Sequence, residues 1–219
     1  MPLIEYIVST IAPHECLRCG AENTVLCTAC SAGLVRVPER CYRCLTNNLG
    51  HKTCKSCRAG STLHAVYPVT MYEGVAKDLI HALKFERSQA SADVVANLLA
   101  ERLPELGGIV ITHVPTATSR IRMRGYDQAA LIARRLATQL GVEYVPLLSR
   151  LGQQRQVGKN RSERRNQMQE LFIATKKQPP KHVLLIDDVI TTGATLEACA
   201  RILKNAGVKR VSAAVFAAA

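Results

Sequence analysis

V-L-L-I-D-D-V-I-T-T-G-A-T, Val183 to Thr195, sets four apolar residues against two adjacent carboxylates, then small hydroxylated residues around a glycine. A short apolar run bounded by turn residues reads as a buried strand. The residues after Gly193 read as the start of a helix. Ligands of an open α/β sheet gather outside the carboxyl ends of its strands, and Asp187 and Asp188 fall at such an end. Carboxylates there can accept hydrogen bonds from the vicinal hydroxyls of a ribose. The loop Thr191, Thr192, Gly193, Ala194, Thr195 opens a helix whose free N–H groups and positive dipole end can hold a phosphate. Gly193 permits close backbone approach, and the threonine hydroxyls add donors.

The flanking pattern agrees. Apolar residues at helical spacing predict helices over 74–86, 92–103, 128–140 and 194–206, and strands are predicted at 109–114, 142–147, 171–174, from Val183 to the two acids, and at 210–216. Strands alternating with helices imply a mainly parallel sheet covered on both faces, an α/β domain.

Nine cysteines precede or interrupt this pattern, and eight form C-x-x-C pairs: Cys16/Cys19, Cys27/Cys30, Cys41/Cys44 and Cys54/Cys57. Two such turns complete a tetrahedral zinc site, so four pairs imply two closed, structural zinc sites. Sequential pairing is the simplest connectivity, and interleaved pairing stays open. His14 and His51 read as surface residues rather than ligands. Residues 1–60 are expected to form this zinc-ribbon module and 61–219 the α/β domain. Arg18, Arg36, Arg43, Lys52, Lys55 and Arg58 give the ribbon a basic surface. Cys199, inside a helical pattern, reads as a small buried hydrophobe.

Hydrophobic residues are 47% of the 219, yet aromatics are 4% and Trp is absent, so the core is aliphatic. Residues 150–181 hold nine Lys and Arg against two Asp and Glu, a net +7 of the chain's +12. So local an excess points to phosphates or nucleic acid. No apolar run approaches the ~20 residues of a membrane span, and the acid in the first ten residues is unlike a signal peptide. No membrane insertion and a cytoplasmic setting are expected, where thiols bind metal more readily than they pair.

The Val183–Thr195 stretch resembles the phosphoribosyl pyrophosphate (PRPP) motif of type I phosphoribosyltransferases. The whole chain resembles the ComF/GntX family of competence-associated, phosphoribosyltransferase-like proteins. The doubled C-x-x-C ribbon, Y-E-G-V-A-K-D-L-I-H-A-L-K-F, V-P-T-A-T-S-R-I-R-M-R-G-Y-D-Q, Q-V-G-K-N-R-S-E-R-R-N-Q and the PRPP stretch occur in that order. The resemblance implies that Asp187 and Asp188 hold the ribose hydroxyls and Thr191 to Thr195 the 5′-phosphate. It makes Val114, Pro115, Thr116 and Ala117 the pyrophosphate loop, with Arg120, Arg122 and Arg124 as its cations. Lys84 would point at the same site. Residues 156–167 would close over PRPP through Lys159, Arg161, Arg164 and Arg165. Asp187, Asp188, Lys84 and Arg164 are therefore the expected catalytic residues, with Mg²⁺ carried by PRPP. The sequence departs from the family at Asp127 and at Gln167, where asparagine is usual. The implied function is action with single-stranded DNA and DNA-uptake proteins in competence or DNA utilisation. The alternative is a base-salvage phosphoribosyltransferase whose zinc module is purely structural. No acceptor is declared by the sequence. With so few aromatics, contacts to DNA are expected to be to its backbone, Tyr42 and Tyr126 being the nearest stacking candidates.

Overall fold

The elements described in a computed structural model, which covers residues 14–86, 88–150, 172–175 and 180–219, follow the alternation expected of the sequence. In chain order they are α1 (Thr28–Ala32), a 3-10 turn (Leu49–His51), α2 (Lys55–Arg58), β1 (Val66–Met71), α3 (Val75–Phe85), α4 (Gln89–Arg102), β2 (Ile109–His113), α5 (Thr118–Arg124), α6 (Gln128–Leu140), β3 (Leu148–Arg150), β4 (Phe172–Ala174), β5 (His182–Ile190), α7 (Ala194–Asn205) and β6 (Arg210–Ala218).

The central strands β5 and β6 are nearly continuous apolar runs, as burial on both faces requires. They form the middle of a four-stranded parallel sheet of order β1-β6-β5-β2. Alternation along β5 divides the core. Leu184 and Ile186 face α3, α4 and α6, whose Leu79, Ile80, Leu83, Leu99, Ile132 and Leu136 are fully buried. Val183 and Leu185 face α7, with Cys199, Ala200 and Leu203. Each fully buried Leu or Ile contributes about 2 kcal/mol by leaving water. The core is aliphatic as expected, Phe216 being its only fully buried aromatic among the described residues.

Several assignments differ from the sequence reading. β1, α5 and β3 were not anticipated. The segment expected as a strand at 142–147 contributes a single parallel bridge, Tyr144 to Ile111, along the outer edge of β2. Beyond it, β3 pairs antiparallel with β4 as a separate two-stranded ribbon and does not join the parallel sheet. Phe85, at the end of α3, is 59% exposed.

Among its described residues the cysteine module has no core of its own. Its Cys16, Val25, Leu26 and Leu34 join the α3/α4/α6 side of the core, while Val37 joins the α7 side with Leu63 just past the module. It also lies along the free edge of β1: Met71 donates its N–H to Val35 O at 2.8 Å, and Lys52 bridges Ala65. No helix among the described residues is long and apolar enough to cross a membrane.

Candidate functional site

The pairing of β2 with β5 ends at His113 and Ile186, while β6 continues beside β5 to Ile190. Asp187 and Asp188 therefore project into the notch left where β2 stops. Val114, the first residue past β2, donates its N–H to Ile186 O at 2.9 Å and starts the Val114–Ala117 loop there. The two acids, five residues of β2 and the loop that leaves it thus share one edge because β2 is shorter than β5.

Strand alternation sends the two carboxylates to opposite faces. Asp188, 6% exposed, points toward α3 and α6. Lys84 Nζ, from the last turn of α3, lies 2.8 Å from Asp188 Oδ2, and Gln128 Nε2, from the first turn of α6, donates to the same oxygen at 3.3 Å. Asp187, half-buried on the α7 side, accepts the Asp188 N–H at 2.9 Å. Burial, and then the charge of Asp188, pushes the Asp187 carboxyl well above the usual range, so it holds its proton more tightly than a free aspartate. Ligand hydroxyls or a cation reaching this edge meet one carboxyl paired with Lys84 and one that holds its proton more tightly than a free aspartate.

Arg124 closes α5 and is 6% exposed, yet its Nε and Nη1 have no hydrogen-bond partner. Its guanidinium lies 5.5 Å from the centre of the Phe85 ring, beside the helix end that carries Lys84. An unpaired buried guanidinium is costly unless an anion satisfies it. Arg120 and Arg122 are exposed on the same short helix. Pro115 is buried and Thr116 half-buried in the loop between β2 and α5.

Asp127 does not face that loop as a repulsive charge. It caps α6, accepting from Ala130 N–H at 3.2 Å, and its other bonds come from Thr116 N–H at 2.9 Å and the Thr116 hydroxyl at 3.0 Å. An amide oxygen could cap α6 in the same way, but here both carboxylate oxygens accept, Oδ1 from Ala130 and the Thr116 hydroxyl and Oδ2 from the Thr116 N–H. Tyr126 spends its hydroxyl on Leu83 O and is half-buried, so it is no free stacking platform.

Gly193 stands at φ +73° before α7, with Thr191, Thr192 and Ala194 exposed and Thr195 half-buried around it. The close approach it allows is by protein. A Cβ built there would meet Tyr42 Cε2 at 2.9 Å and Cδ2 at 3.0 Å. Tyr42, Ser61 and Glu197 were not marked by any sequence motif, and their contacts cross from ribbon to helix. Lys159, Arg161, Arg164, Arg165 and Gln167 lie outside the described residues.

The cysteine sulfurs group sequentially, Cys16/Cys19/Cys27/Cys30 and Cys41/Cys44/Cys54/Cys57, each set within 4.8 Å. Tetrahedral zinc with Zn–S of about 2.3 Å requires sulfurs roughly 3.8 Å apart. Cys19 to Cys27 at 3.7 Å and Cys44 to Cys54 at 3.5 Å fit that, and are far from a disulfide. The Ser56 hydroxyl and the Cys57 N–H hold the Cys54 thiol down to about 6, while Cys54 and Cys44 beside it push Cys57 up to about 12. Four thiolates in so small a space need a cation. His14 is exposed and outside both sets. His51 is half-buried edge-on to Tyr67, not a surface residue as expected, and is likewise no ligand.

Comparison with known proteins agrees with this arrangement. Residues 85–219 match the phosphoribosyl transferase domain family. The chain is 30% identical to Competence protein ComFC of Streptococcus pneumoniae over 87% of its own length and 86% of that protein's. It is 27% identical to Competence protein ComFC of Bacillus subtilis, covering 83% and 79% of the two chains. To DNA utilization protein YhgH of Salmonella typhimurium it is 26% identical over 90% and 85%. With a parallel sheet bearing the phosphoribosyl transferase domain and two four-cysteine clusters ahead of it, the chain belongs to the ComF family.

Proposed function

We propose that the chain binds PRPP with Mg²⁺ at the carboxyl edge of its sheet and acts with single-stranded DNA in DNA uptake or utilisation. The observation that carries this is the Asp188–Lys84 pair at the end of β5, with Asp187 next to it in the chain and the buried, unpartnered Arg124 nitrogens on the Phe85 ring beside the helix end that carries Lys84. In this reading the Asp187 and Asp188 carboxyls accept from ribose hydroxyls, and the N–H groups of 191–195 donate to the 5′-phosphate. Arg124, with Arg120, meets the pyrophosphate. Lys84 neutralises Asp188 until a phosphate oxygen arrives, and is close enough to serve both. Arg164 supplies a further cation from the segment preceding β4. Mg²⁺ takes most of its ligands from PRPP oxygens and supplies charge neutralisation there. The zinc ions are structural, their thiolates leaving no open position.

Support for the nucleic acid comes from the names of the relatives and from charge. Arg18, Arg36, Arg43, Lys52, Lys55 and Arg58 are all exposed on the ribbon. Six phosphate contacts give single strands a salt slope near −4, a loss of roughly 300-fold between 50 and 200 mM salt.

The test is a calorimetric PRPP titration with Mg²⁺, run on the wild type and on Asp187→Asn/Asp188→Asn. Loss of two or more charge-assisted hydrogen bonds predicts about 100-fold weaker binding in the variant. Binding that the variant retains, or none in the wild type, overturns the reading. Rapid release of pyrophosphate on adding one of a panel of free bases would instead assign the chain to base salvage.

A further inference from the structure

Tyr42 lies between the first two ligands of the second cysteine cluster, yet its ring rests on the loop that opens α7. Its hydroxyl is 2.8 Å from Ser61 Oγ and donates to Glu197 Oε1. Glu197, in the first turn of α7, also accepts from the Ser61 hydroxyl, from Thr62 N–H at 3.0 Å and from the Thr62 hydroxyl at 2.6 Å. The carboxylate is thereby saturated by donors from the ribbon side. A free carboxylate one turn into this helix would oppose an anion at its N-terminus. These donors draw its charge away from the loop and keep it ionised.

The contact also removes freedom from the loop. Gly193 adopts a left-handed conformation that glycine enters at little cost and leaves as easily. With the Tyr42 ring against it and Ile190 Cδ1 at 3.4 Å from the position of a Cβ, one conformation is held before any ligand arrives. Preorganised donors bind more tightly because their ordering is not charged to the ligand.

We propose that Tyr42 is a positioning residue for the 191–195 loop, and that through it the second cysteine cluster sets the loop's shape, so that metal at that cluster and an anion at the loop favour each other. The coupling is reciprocal: the anion must raise the cluster's hold on its metal by the same factor. Among the described residues the first cluster makes no such contact with the loop, and its buried residues join the core on the α3 side. The binding half of the proposal rests on reading 191–195 as a phosphate site. The shape half does not.

The experiment uses the zinc-loaded full chain with no ligand and reads hydrogen exchange in peptides spanning 189–197. Tyr42→Ala keeps all eight thiols, and is expected to raise exchange of the 191–195 amides by about tenfold, the loss of one or two bonds to a charged group. Tyr42→Phe should fall between it and wild type. Cys44→Ser should match Tyr42→Ala, with a clearly smaller effect from Cys19→Ser. Titrated with PRPP and Mg²⁺, the variants should weaken in the same order. Unchanged loop exchange in Tyr42→Ala at full zinc content overturns the proposal, whatever PRPP does. Faster exchange without PRPP binding in the wild type sustains the positioning role and removes the phosphate reading instead. Faster exchange with unaltered PRPP affinity overturns the coupling.

Discussion

Asp188 and Lys84 form the pair on which the site's charge balance depends. Both are largely withdrawn from water, at 9% and 21% side-chain exposure. Removing one partner strands the other, which costs more than the pair itself is worth. Lys84→Met should therefore lower unfolding stability by about 3 kcal/mol in a urea titration, and adding Asp188→Asn should restore much of it. Additive losses would show that the two do not act as a pair. Glu197 makes a second residue-level prediction. Burial alone would raise its carboxyl, but donors from Ser61, Thr62 and Tyr42 outweigh burial and hold it below the usual glutamate value. A depressed acid stabilises the fold above its unfolded pKa and loses that contribution as pH falls through its folded value. Thermal scans from pH 6 downward should show wild type converging on Glu197→Gln below about pH 4, having been the more stable above it.

At the scale of elements, β5 and its loop were legible because their chemistry is contiguous: four apolar residues, two acids and a glycine loop lie within thirteen positions. α3, α4, α6 and α7 were legible from apolar spacing. β1 was not, because Pro68 interrupts it. An edge strand tolerates the missing N–H where a central one would not. α5 was not, because T-S-R-I-R-M-R carries five polar or charged positions and no apolar stripe. The cleft residues were legible only as a set. That Lys84 reaches Asp188, that Asp127 binds Thr116, and that Tyr42 covers Gly193 are contacts across 104, 11 and 151 positions, which local pattern cannot carry. Gly193 was read as permitting close backbone approach to a ligand, whereas the neighbour it admits among the described residues is Tyr42. Gly193→Ala should accordingly lower stability by about 2 kcal/mol, from left-handed strain together with the clash. In a Tyr42→Ala background only the strain, about 1 kcal/mol, should remain. Equal losses in both backgrounds would deny the contact.

For the whole molecule, the cysteine module and the sheet are interdependent. Residues of the module complete the core on both sides, so loss of a metal from its cysteine clusters would withdraw cover from apolar surface as well as loosen the ribbon. The bonds from Val35 and Lys52 along β1 carry a further consequence. A strand with one vacant side is a template for any extended chain nearby, and Pro68 blunts only one position of it. The module is thus a guard against misassembly. Stripping the metal should make the protein self-associate through its sheet before it unfolds globally, and light scattering should rise on chelation ahead of the loss of helical circular dichroism. Pro68→Val, which returns an N–H to that edge, should bring the turbidity forward while leaving the metal content as it was.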